Sequence, residues 1–195
     1  MRTETKLRIA GLVDDSITDG PGLRLAVFSQ GCLHRCRGCH NPATHDPGGG
    51  YEVDVAAILA ALDANPLLDG ITLTGGEPFL QAFPLAELAR GVKRRGLSVW
   101  TYTGYRWEEL MEEIGRGNAG FAELLKHTDV LVDGRHEQEA RSLSLSFRGS
   151  SNQRLVDVPR SLTTARVVEL YTQNSRANYR YTFLTPIPKA STISR

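Results

Sequence analysis

Three cysteines, Cys32, Cys36 and Cys39, fall within the stretch GCLHRCRGCHNP, and the chain has no others. Clustered thiolates are soft ligands for metal ions and iron–sulfur clusters, and CxxxCxxC lets a single loop offer three of them. Three readings compete. Inert buried thiols suit a packed interior better than a polar loop punctuated by Gly31 and Gly38. A structural zinc site would need His34, His40 or His45 as fourth ligand, but such sites prefer paired cysteines matched by a distant second pair. The third reading is an iron–sulfur cluster bound through three of its four irons. Electron-carrying clusters of that kind use four cysteines. Three ligands leave one iron with an open position, the logic that separates catalytic from structural zinc. Gly31 and Gly38 fit backbone that passes close to a cluster and adopts positive φ.

A second motif is Thr74-Gly75-Gly76-Glu77-Pro78. Paired glycines at a strand end allow backbone carbonyls to approach a ligand, and Glu77 offers a carboxylate to an ammonium. Alone, the string also reads as an ordinary strand–turn.

The elements that must position these motifs alternate. Leu23–Gln30 is a β-rich apolar run after the turn Asp19-Gly20-Pro21-Gly22. The segment HDPGGGYE is too rich in glycine for regular structure, and Val53–Leu62 has helical spacing ended by Asn65-Pro66. Ile71–Thr74, Ser98–Thr103 and Asp129–Val132 read as further strands, with Leu155–Val158 a fifth. Helices are expected over Pro84–Arg95, Trp107–Ile114 and Phe121–Lys126. Alternating strands and helices imply a mainly parallel α/β sheet with right-handed crossovers. The cysteine loop, GGEP, Gly104-Tyr105 and Asp133-Gly134 each follow a strand, so they share the C-terminal rim where such folds build sites. A full barrel needs about 250 residues. A chain of 195 residues therefore suggests an incomplete, open βα barrel.

Composition is that of a globular chain, 41% hydrophobic and 23% charged with formal net charge +1. That balance gives no bulk attraction to nucleic acid or to a membrane surface. Lys93-Arg94-Arg95 reads as a solvated helix C-terminus. No apolar stretch is long enough to span a bilayer, and the charged N-terminus lacks a signal-peptide core, which points to the cytoplasm. There, an odd number of clustered cysteines implies metal or redox chemistry rather than disulfides.

CxxxCxxC followed by GGEP resembles the radical S-adenosylmethionine (SAM) superfamily. DSITDGPGLR (15–24), GCLHRCRGCHNPAT (31–44), TGGEPFLQ (74–81) and WTYTGYRWEEL (100–110) resemble, more narrowly, the glycyl-radical-enzyme activating proteins. The nearest branch is the one serving anaerobic ribonucleoside-triphosphate reductase. DVLVDG (129–134) and SLSFRGSSNQR (144–154) extend the likeness. The resemblance implies a radical SAM domain over residues 1–160 and a C-terminal extension, 161–195, of unassigned role. It also implies that Cys32, Cys36 and Cys39 ligate a 4Fe-4S cluster whose open iron is chelated by the amino and carboxylate groups of SAM. An electron from the cluster, delivered by a flavodoxin or ferredoxin, would break a sulfonium C–S bond. The resulting 5′-deoxyadenosyl radical would take a hydrogen atom from a glycine of the reductase.

Carried over by position, Gly38 and His40 would lie against the adenine, and Gly75, Gly76 and Glu77 would hold the methionine end. Thr103 and Tyr105 would approach the ribose, and Asp133 would help bind SAM or a cation. No catalytic side chain beyond the cluster is implied, because hydrogen-atom transfer moves proton and electron together. His34, His45, His127 and His136 accordingly read as surface residues. One departure stands out: the position before the third cysteine, often aromatic in the superfamily, is Gly38, so stacking would come from His40 or Tyr105. Two alternatives remain open: a radical SAM synthase acting on a small molecule of the deazaguanine type, and a zinc-stabilised binding module.

Overall fold

In the computed structural model, which describes residues 5–170, the expected alternation is present with added strands at its edges. In chain order the elements are β1 (Lys6–Ser16), β2 (Arg24–Ser29), β3 (Tyr51–Asp54), α1 (Val55–Ala64) and β4 (Gly70–Gly75). They continue with α2 (Ala82–Lys93), β5 (Ser98–Tyr102), α3 (Trp107–Gly115), α4 (Ala119–Lys126), β6 (Val130–Asp133), β7 (Arg154–Asp157) and α5 (Val158–Thr164).

The strands form one seven-stranded sheet in the order β3-β1-β2-β4-β5-β6-β7. Its centre, β2-β4-β5-β6, is parallel. The pairs β3–β1, β1–β2 and β6–β7 are antiparallel. The sheet is open, and its central strands have the parallel order expected.

Side chains alternate across the sheet with the period of two that strands impose. Leu25 and Val27, Ile71 and Leu73, Val99, and Leu131 point to one face, where they bury against Ile58 of α1, Leu85, Leu88 and Val92 of α2, Leu110 of α3 and Leu124 of α4. All the crossover helices contribute to this one layer, as in a barrel. The opposite face carries Trp100, Val130, Val132 and Leu155, covered by Phe147 from the β6–β7 connection. Local chemistry sets the helix ends. Asn65 caps the C-terminus of α1 just before Pro66, a residue that cannot continue a helix. Asn118 accepts from Phe121 N at the start of α4.

Two features depart from the sequence reading. β1 was not anticipated, because charged Lys6 and Arg8 dominate its start and two register shifts break its alternation. β3 begins inside the segment read as a glycine-rich loop: Tyr51 to Asp54 pair with Ile9 to Lys6. The first helix therefore starts at Val55 rather than Val53. At the other end, α5 runs across position 160, and the chain returns so that Leu170 N donates to Leu155 O at 2.7 Å. Residues 171–195, most of the expected extension, lie outside the described residues.

Candidate active site

The four parallel strands deliver their following loops to one rim, and a cavity of about 210 Å³ opens there. Its wall includes Cys32, Cys36, Cys39, His40, Gly75, Gly76, Glu77 and Thr103. Sequence-distant motifs thus meet, as the strand-end argument requires.

The cysteine loop is tied back onto the sheet. Gly31 N donates to Thr44 O at 2.8 Å and Cys32 N to His45 O at 3.2 Å. The Gln30 amide donates to Ala43 O and Asp46 O, while the Gln81 amide donates to Gln30 O. Between these ties the thiols project from irregular backbone. Arg35 and Gly38 both have positive φ, and Asn41 N donates to Cys39 Sγ at 3.4 Å. All three thiols are free and partly exposed. Burial pushes the Cys32 thiol up from its ordinary pKa, and Glu77 adds to the shift.

The donor set fits a cluster. Cys32, Cys36 and Cys39 line one cavity with their thiols free, and a cluster takes one thiolate per iron. The Nε2 atom of His136 is buried without a hydrogen-bond partner, on a side chain that lines the same cavity. His136 lies 5.0 Å from His40 with the rings tilted by 44°, and the pKa of His40 is lowered by burial first and then by His136 and Arg141. Gly149 leaves room for both rings: a Cβ there would stand 3.2 Å from His136 Nδ1 and 3.4 Å from His40 Cε1.

Glu77 is 1% exposed, and its carboxylate is bonded within the protein. Its partners are Phe79 N, Thr103 Oγ1, Gly104 N and His34 Nε2. Tyr105 stands behind the wall, edge-on to His34 at 4.7 Å. Burial raises its phenol pKa, with Glu77 contributing. Gly38 is also off the cavity wall, packed against Gln138. Asp133 is buried at the end of β6, accepting from Trp107 N at 2.8 Å and from Arg154 Nε at 3.0 Å.

Two histidines read as surface residues, His34 and His136, line the cavity instead. Sequence alone does not reveal that their loops fold back over the strand ends. Asp19, Asn41 and Gln153 join them on the wall. For Gln153 the signal was present in the RGSSNQR segment. Its amide accepts from Gly149 N and Ser150 N and donates to Gly134 O, which pins the β6–β7 connection at the rim.

Comparison with known proteins follows the same lines. A family described as a 4Fe-4S single cluster domain matches residues 18–156. The anaerobic ribonucleoside-triphosphate reductase-activating protein of Enterobacteria phage T4 is 34% identical over 143 residues, 70% of this chain and 85% of that protein. The pyruvate formate-lyase-activating enzyme of Clostridium pasteurianum is 36% identical over 135 residues, 66% of this chain and 52% of that enzyme. Among solved structures, QueE from Escherichia coli overlays with a TM-score of 0.42 at 17% identity, covering 51% of this chain and 53% of that one. So partial an overlay bears on neither fold nor function.

Proposed function

The chain belongs to the 4Fe-4S single cluster domain family, of radical SAM type, and from that premise we propose that it is an activase for a glycyl-radical enzyme, anaerobic ribonucleoside-triphosphate reductase. One observation carries this reading: three free, partly exposed cysteines and the Gly75-Gly76 strand end open on the same rim cavity. When bound, a reduced 4Fe-4S cluster and SAM together supply a 5′-deoxyadenosyl radical able to take a hydrogen atom from a glycine Cα.

The residues of the chain bind and orient. Cys32, Cys36 and Cys39 hold the cluster. Gly75 and Gly76 receive the methionine end on the cavity wall, where their lack of a Cβ lets the strand end pack against Phe28 and Gly31 O. His40 and His136, side by side on the wall, take the adenine, with the buried Nε2 of His136 free to bond it. Thr103 lines the cavity with its hydroxyl donated to Glu77, while Tyr105, Gly38 and Asp133 lie off the cavity wall and support it. A wider groove of about 490 Å³ runs into the cavity and shares Asp19, His40, Tyr102 and Gly149 with it. An extended segment of a partner protein lying there brings its backbone to the reacting centre, which suits a macromolecular substrate.

The electron donor is a flavodoxin or ferredoxin-type protein. Among the described residues no helix is long and apolar enough to cross a membrane, and we place the reaction in the cytoplasm. The test is anaerobic incubation of the chain with SAM, a reductant and the candidate reductase. We expect a glycyl-radical signal by electron paramagnetic resonance (EPR), abolished by Cys36→Ala, with SAM cleavage dependent on the reductase. SAM turnover that yields no radical on the reductase, but modifies a small molecule, would overturn this assignment.

A further inference from the structure

Glu77 is buried at the rim, 1% exposed, and its carboxyl oxygens meet four hydrogen-bond partners. Oε1 accepts from Phe79 N at 3.0 Å and from Thr103 Oγ1 at 2.8 Å. Oε2 accepts from Gly104 N at 2.8 Å and lies 2.8 Å from His34 Nε2. A carboxylate has about four lone-pair positions, so none is left for an incoming ammonium. The four partners come from three rim loops: His34 from the loop after β2, Phe79 from the loop after β4, Thr103 and Gly104 from the loop after β5.

His34 lies between two of the cysteines in the chain, yet its side chain is only 7% exposed. Its ring is fixed edge-on against Tyr105. It also occupies the space a side chain at position 104 would need: a Cβ on Gly104 would collide with the His34 ring. Two independent packing contacts therefore hold the ring where it meets Glu77.

Resting on the function proposed above, we infer that His34 and Glu77 form a clasp that fixes the cysteine loop against the ends of β4 and β5. Glu77 is a positioning residue in this arrangement and does not bind the ligand's amino group. That group falls to the backbone of Gly75 and Gly76, which line the same cavity. If Glu77 instead bound the ammonium directly, His34 would be its competitor. Removing the ring would then free an acceptor and tighten binding. The two arrangements predict opposite signs.

The experiment compares wild type, His34→Leu, His34→Gln and His34→Asn. SAM binding is measured by calorimetry on anaerobically reconstituted protein. Trypsin cleavage after Arg35 and Arg37 is followed on the cluster-free chain. Losing this buried hydrogen bond weakens SAM binding by about tenfold in His34→Leu, and cleavage in the loop becomes faster. Glutamine, whose amide reaches the same oxygen, restores both properties. Asparagine, one methylene shorter, does not, and it decides the matter if His34→Leu fails to fold. Unchanged or tighter SAM binding in His34→Leu, with wild-type protease resistance, overturns the clasp. If wild type itself binds no SAM, the proposed function falls, and the protease arm still decides the clasp.

Discussion

Gly38 and Gly75 share a backbone requirement but not a setting. Both have positive φ, +72° and +91°, where an L-residue costs about 1–2 kcal/mol. A Cβ on Gly38 would press on the side-chain tip of Gln138, which can swing away. A Cβ on Gly75 would stand 2.6 Å from Phe28 Cα, in the neighbouring strand, which cannot. Gly75→Ala should therefore lower the thermal midpoint of the cluster-free protein more than Gly38→Ala does, and adding Gln138→Ala should recover part of the Gly38→Ala loss. Equal losses for the two glycines would contradict this account. Both were singled out from the sequence, but the difference between them was not visible there. It arises from tertiary neighbours, Phe28 and Gln138, that lie 47 and 100 positions away in the chain.

Strands and helices show why some of the site was readable and some was not. The buried parallel strands, such as Ile71–Thr74, are short apolar runs bounded by glycine, and their ends could be located closely enough to place GGEP on the rim. β1 and β3, which lie outside that parallel core, mix charge with apolar residues; β1 pairs antiparallel with β2, and β3 pairs with β1. No local pattern marks them. The joint of β6, β7 and α3 was equally hidden. There Arg154 bonds both Asp133 and Glu108, and Asp133 also accepts from the first N–H of α3. Asp133, which the resemblance made a candidate to help bind SAM or a cation, is held at this joint by hydrogen bonds from Trp107 N and Arg154. The hydrogen bond from Arg154 holds the Glu108 carboxyl below its ordinary pKa. The unfolded chain then takes up this proton first as pH falls, so the stabilisation is present above about pH 4.5 and is lost below it. Glu108 is half exposed, and its share is about 0.5 kcal/mol. Urea unfolding at about pH 7 and about pH 3.5 should show a smaller acid loss for Glu108→Gln than for wild type. An identical loss in both would remove Glu108 from the account.

Across the whole molecule, scaffold and chemistry are built from separate sets of residues. The main core consists of aliphatic and aromatic side chains on β1, β2, β4 to β7 and the five helices, and no cysteine belongs to it. The cysteine loop is closed by Gln30, Gln81, Gly31 and Thr44, again without a thiol. A metal-dependent module behaves differently, because binding free energy there is folding free energy and chelation unfolds the chain. Here the iron should be dispensable for the fold. The cluster-free protein, and a chain with Cys32, Cys36 and Cys39 all changed to serine, should keep the far-ultraviolet circular dichroism of the loaded protein. For a chain of this size about 1 kcal/mol corresponds to a shift of about 2–4 °C, and the thermal midpoint should move by no more than that. The serine variant should also lack the brown colour and the sulfide of the reconstituted wild type. Cooperative unfolding on removal of iron would mean that the thiol loop helps to hold the sheet together, and a zinc-like structural role would then replace the catalytic one.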